Sequence, residues 1–240
     1  MRASWLAPVL ALAAILGAGC VDAGRTRVSL PVHGAGTGVR TFEAGAYSVT
    51  LEEARIAWGP AYFCTTPFAD VDLCPTALAE VRSAATIDVL DDTPQLIGEL
   101  EGISGTVRST MFDYGITWLL PAPAPAPDPG AVDGTHSARF VGSAARGSTI
   151  TRFVLDVDMR PIASGVSAAH GVPTTHVLSA RPDALVVRFD PARLFAGADF
   201  GDVEGLGGDP VVVPESSTVY QAVVIGLASS ALPALEWQAP

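Results

Sequence analysis

The 240-residue chain contains no lysine and no asparagine, and only three cysteines and three methionines. Without lysine it cannot form a Schiff base or place the ammonium of a P-loop on a phosphate. Without asparagine it has no N-glycosylation sequon. Positive charge is scarce: the 14 basic residues are all arginine, set against 25 carboxylates, for a net charge of −11. Such a surface repels nucleic acid, whose recognition needs clustered cations on phosphates. The catalytic and metal-site spacings that carry a mechanism are also missing: no Gly-x-Ser-x-Gly, no His-Glu-x-x-His, no Cys-x-x-Cys and no Asp-x-Asp-x-Asp-Gly loop. Nothing in the chain repeats with a solenoid period.

What is present begins at the N-terminus. Arg2 precedes an uncharged run from Trp5 to Leu16, twelve residues long. As a helix this run measures about 18 Å, short of the ~20 residues that span a bilayer. The small residues Gly17, Ala18 and Gly19 follow, and then Cys20. Positive start, short apolar core and small-residue site form the order of a secretory signal.

Residues 1–20 here resemble the signals of bacterial lipoproteins, whose lipobox ends in two small residues and a modified cysteine. Cys20 matches that cysteine, while Gly17 stands where the family usually has leucine. The resemblance implies a signal peptide over 1–19, lipidation (diacylglycerol and palmitate-type acyl chains) at Cys20, a tether over 20–27 and a lipid-anchored place in the cell envelope, at the outer membrane. Its implied partner is the membrane, through the anchor. Two alternatives stay open: ordinary cleavage after Ala23, and an uncut apolar anchor.

Cysteine arithmetic bears on the same point. An odd count in an exported chain needs an explanation. If Cys20 carries lipid, Cys64 and Cys74 remain as a pair, ten positions apart in an oxidising compartment. We expect them to form a disulfide; a metal site is the rival reading.

Beyond the tether the pattern is that of strands. Val28, Leu30 and Val32 alternate with polar neighbours, and Gly34, Gly36 and Gly38 then predict a turn. Tyr47, Val49 and Leu51 alternate in one phase and Ala54, Ile56 and Trp58 in the other, so a bulge or bend is expected at Glu52-Glu53. Residues 61–64 lead into the cysteine loop. Thr76–Ser83 reads as a short helix or an edge strand. Residues 86–90, 96–100, 107–112 and 116–120 read as further strands. The Pro-rich stretch 121–130 is expected to be an extended surface loop outside any sheet. Residues 136–140 and 152–158 predict a hairpin, 161–173 a loop, and 185–189 a strand. Asp190-Pro191 starts a short helix. Glu215–Ser217 caps a second helix to about Ser229, with a strand as the alternative, and 235–237 forms a last strand. The expected fold is therefore mainly β: one antiparallel β-sandwich over 28–240 with one or two short helices.

For chemistry, His136, His170 and His176, with Met159, form a candidate metal set, copper being the metal such donors favour in the envelope; His170 and His176 are read as sharing a loop. Asp70 and Asp72, and Asp199, Asp202, Glu204 and Asp209, form acidic clusters, read as solubilising turns rather than calcium ligands. No catalytic residue stands out. The sequence therefore predicts an envelope binding or structural module with no cofactor and an unknown protein or small-molecule ligand. A copper-handling protein is the alternative, and an envelope hydrolase comes third, with no motif behind it.

Overall fold

The structure, a computed structural model, describes residues 24–67, 74, 77–117, 124–160, 167–181 and 183–239. Cys20, Asp70 and Asp72 lie outside these residues. In chain order the strands are β1 (Arg27–Ala35), β2 (Thr41–Ala44), β3 (Tyr47–Trp58), β4 (Ala61–Cys64), β5 (Ala77–Val81), β6 (Ala85–Asp88), β7 (Gln95–Ile103), β8 (Gly105–Phe112), β9 (Ile116–Thr117), β10 (Ala126–Pro127), β11 (Ala138–Arg146), β12 (Thr149–Val157), β13 (Ala169–Leu178), β14 (Ala184–Arg188), β15 (Val211–Val212) and β16 (Ala234–Gln238). Among the described residues there are also two helices, α1 (Pro191–Leu194) and α2 (Thr218–Ile225), with a π turn over Gly226–Ser230.

The strands form two large sheets. The first has eight strands in the order β13-β8-β4-β5-β7-β1-β14-β16; the second runs β15-β12-β11-β3-β2, with β6 also on β3. Pairing is antiparallel except for two parallel contacts, β1 with β14 and β12 with β15. The fold is the mainly β sandwich that the alternation predicts. The phase change in β3 is a bulge: Val141 of β11 opposes Glu53 and Gly142 opposes Leu51, which leaves Glu52 unpaired and exposed. One extra residue keeps Tyr47, Val49 and Leu51 on the same buried side as Ala54, Ile56 and Trp58.

Inward residues of both sheets merge into one continuous apolar cluster with Phe189, Phe195, Val219 and Val223 of the helical segments. Trp58, Phe63, Phe112, Phe140 and Phe153 lie fully buried within it, and each large side chain so buried contributes about 2–3 kcal/mol of hydrophobic free energy. Gly36 marks a close approach between the sheets. A Cβ there would lie 1.7 Å from the Val89 carbonyl oxygen, so only hydrogen fits.

Several local expectations are corrected. Thr76–Ser83 contributes β5, an interior strand between β4 and β7 rather than a helix or an edge. Residues 169–173, expected in a loop, belong to β13; of the rest of that expected loop, 167–168 lie outside any strand and 161–166 lie outside the described residues. This strand carries Gly171 and Pro173 and shifts register twice against β8, which erases its period-2 signal. Its edge position is what allows a proline in it. The Pro-rich stretch is not wholly outside sheet structure, since Ala126–Pro127 pair with Ile116–Thr117. Pro127 lacks an N–H, but the next residue, Asp128, donates its N–H to the Gly115 carbonyl at 2.8 Å.

Both helices sit where capping residues place them. Asp190 accepts from the Ala192 N–H at 3.0 Å with Pro191 at the first turn, and Ser217 accepts from the Tyr220 N–H at 3.1 Å.

Candidate functional site

The register of the eight-stranded sheet defines two ends. At the end where β1 begins, Arg27 stands opposite Ile103 and Leu178 opposite Gly105, and nearby β14 starts at Ala184 beside the last residues of β16. Here we call this the near end, because the described chain enters it at residues 24–27. At the far end Ala61 and Ala169 flank Phe112, and the chain continues into Asp113 and Tyr114.

The near end holds the disulfide and a seam. Cys64 and Cys74 are bonded, with Cα atoms 5.9 Å apart, as the cysteine count predicts. The described ends of their loop bond to β8: the Ser109 hydroxyl donates to the Thr66 carbonyl at 2.6 Å, and the Cys74 N–H donates to Met111 Sδ at 3.1 Å. Ser109 and Met111 are fully buried, and Met111 forms with Cys64 a small cluster apart from the main core.

The seam joins the two edge strands of the sheet, β13 and β16. Across it, the His176 imidazole lies flat on the Trp237 indole, with ring centroids 4.0 Å apart and planes 2° from parallel. His176 Nε2 also stands 3.2 Å from Asp183 Oδ2, and Trp237 packs edge-on against Phe63 at 5.8 Å. The sheet thus curls until its edges meet through side chains, giving a near-barrel. An open cleft of about 320 Å³ adjoins this seam, lined by Ser29, Leu30, Pro31, Asp183, Ala184 and Gln238 among others. A larger groove of about 660 Å³ lies where β5 meets β7 and β1, between Arg27, Leu78, Glu80, Arg82 and Glu101.

The far end holds a buried acid that the sequence reading passed over. Asp113 is 4% exposed, and its Oδ1 accepts from the Ala168 N–H at 2.8 Å. Burial pushes its carboxyl up to about 7, against the opposing pull of that N–H. The signal was a lone acid inside the apolar run Met111-Phe112-Asp113-Tyr114. Next to it, the fully buried Tyr114 hydroxyl donates to the Leu227 carbonyl at 2.6 Å, tying the π turn to this end.

The candidate metal donors are not gathered. His136 pairs with Asp158 of the other sheet's hairpin, Nδ1 to Oδ1 at 2.8 Å. His170 is exposed near the start of β13, and His176 lies further along the same strand under Trp237. Met159 is buried, its backbone N–H donating to Ser137 Oγ. Among the described residues no group of three or more His, Cys, Asp or Glu side chains is placed to hold a metal ion. Each imidazole that has a carboxylate has a different one, so copper finds no shared donor set among these residues.

The second acidic cluster is likewise dispersed. Asp199 accepts from the Gly201 N–H, Asp202 accepts from Thr218 at the start of α2, Glu204 pairs with Arg146, and Asp209 pairs with Arg152. Each carboxylate thus serves a turn, a helix start or an ion pair. On the second sheet's outer face, Arg139 bridges Asp156, Glu53 and Asp133 across three elements. This ladder fixes strand register at an exposed surface, where each pair is worth ~0–1 kcal/mol.

No family model matches the chain. No curated protein matches it. Among solved structures, MbnP from Methylosinus trichosporium is similar over 90% of this chain and 99% of that chain, with 12% identity and a TM-score of 0.41.

Proposed function

We propose that the protein is a lipid-anchored module of the cell envelope, held at the outer membrane through Cys20, that acts by binding through loops at the far end of its sandwich. The observation that carries this reading is the cysteine inventory. With Cys64 and Cys74 bonded to each other, the one remaining thiol of the chain is Cys20, directly behind a short apolar run and three small residues. Several acyl chains hold a protein durably, where a single chain holds only weakly. The tether enters at the near end, so the far-end loops face away from the anchor.

Lysine-free composition makes the test unusually clean. The only primary amine of the mature chain is its N-terminus, and acylation of Cys20 removes it. The expected result is an N-terminal peptide whose mass includes a diacylglycerol and an amide-linked acyl chain, on a protein that amine-reactive reagents leave unlabelled. A chain that starts at Gly24 and takes one amine label refutes the anchor. Replacing Cys20 with Ser is expected to release the protein from membranes. For the binding half, a photo-crosslinker at Ala126 should capture an envelope component more efficiently than one at Glu99 on the sheet wall. Equal capture at both positions counts against the far-end assignment.

A further inference from the structure

We infer that the near end of the sandwich rests on an anionic bilayer surface, with Arg25, Arg27 and Arg181 on lipid phosphates and Val177 at headgroup level; this rests on the anchored reading above. The argument begins with where arginines lack partners. Arg55, Arg82, Arg139, Arg146, Arg152, Arg160 and Arg188 each stand within 4 Å of a carboxylate, and Arg193 donates to the Ser230 carbonyl. Among the described residues Arg25, Arg27, Arg40, Arg108 and Arg181 have no carboxylate partner. Arg25, Arg27 and Arg181 are exposed at the near end, and Arg108 lies in the near half of β8. In a chain with 25 acids and 14 bases, three of the five arginines without a carboxylate partner stand at this one end.

Among the described residues, three nearby acids have partners. Asp183 faces His176, Glu101 faces Arg82, and Glu99 accepts from the Ser29 hydroxyl. Val177, 62% exposed, projects at the same end, two residues before Ser179 and four before Arg181.

The tether supplies the geometry. Arg27 lies seven positions after Cys20, a reach of at most about 25 Å even when fully extended. Arg25, five residues from Cys20, can sit within about 18 Å of the anchor. Held that close, the guanidinium groups can reach within the ~8–10 Å over which the surface charge is felt. Guanidinium forks bind phosphate oxygens two at a time. Docking turns a loose leash into a fixed orientation and presents the far-end loops outward.

The test uses the full lipidated protein on phosphatidylcholine vesicles with or without phosphatidylglycerol. An environment-sensitive fluorophore on Val177→Cys reports contact through quenching by brominated lipids. Ile225→Cys, on α2 beside the π turn that Tyr114 ties to the far end, is the control position; Ile225 is 56% exposed. Vesicle flotation scores the anchor separately. The expected result is quenching at position 177 and not at 225, dependent on phosphatidylglycerol and lost in high salt while flotation persists. Replacing Arg25, Arg27 and Arg181 with Gln should lower the docked-to-undocked ratio by roughly fivefold per residue. Flotation with equal quenching at both positions, or quenching indifferent to the three substitutions, overturns the docking and leaves the anchor standing. Failure to float overturns both.

Discussion

Asp113 shows how a single residue can set a pH dependence. Its carboxyl rises from an ordinary 3.8 to about 7 because burial disfavours the charged form. Between these values the folded chain holds a proton that the unfolded chain has released. Stability from this group is therefore fully present below pH 4 and is lost as pH rises through 7, by on the order of 4 kcal/mol. Asp113→Asn keeps an oxygen for the Ala168 N–H and cannot titrate. Chemical denaturation at pH 4.5 and 7.5 should show the variant gaining on the wild type at the higher pH. A pH-independent difference between the two would refute the assignment. Carboxylates of the opposite kind exist too: the Thr93 N–H holds Asp91 below its usual range. The comparison of the two proteins cancels such common contributions.

At the scale of elements, the cysteine loop and α2 carry separate predictions. Thr66 and Cys74, at the two ends of the loop, hydrogen-bond with the buried Ser109 and Met111 of β8. Replacing both Cys64 and Cys74 with Ala should cost about 3 kcal/mol on the chain-entropy account, read as a lower denaturation midpoint, and should raise amide exchange in β4. Unchanged stability would mean that the loop holds without its bond. For α2, Ser217 satisfies the Tyr220 N–H, and Ser217→Ala should cost about 1 kcal/mol. The same element shows why local reading stopped short. Its β-branched run, Val219, Val223 and Val224, suits a strand, but the Ser217 cap and the burial of Val219, Tyr220 and Val223 against the core select the helix. For β13 the outcome was reversed. Gly171 and Pro173 read as loop, and pairing to β8 made them strand, because pairing to a neighbouring strand outweighs weak local preference.

For the whole molecule, one apolar cluster spans both sheets and both helical segments. Unfolding should therefore be a single cooperative transition, with far- and near-ultraviolet circular dichroism coinciding along a denaturant series. Two separated transitions would show that the sheets are independent units. The near-barrel also gives the molecule a polarity. Residues 24–27, the disulfide and the His176–Trp237 seam occupy one end of the eight-stranded sheet, and Asp113 and Tyr114 the other.

Sequence by itself determined the strand-rich class and the Asp190 helix start, marked a bulge or bend at Glu52-Glu53, offered Ser217 as a helix cap, and singled out Cys64 and Cys74 as the expected pair. These are written in side-chain period, caps and cysteine count, all readable within a dozen residues. Only the tertiary structure decided which titratable groups meet. His176 and Trp237 are 61 positions apart and join because two sheet edges close on each other. Asp113 and Ala168 are 55 apart and meet where the chain re-enters β13. His136, just ahead of β11, and His176, in β13, plausible co-ligands on paper, end beside different carboxylates. Long-range register fixes such meetings, and no local pattern encodes it.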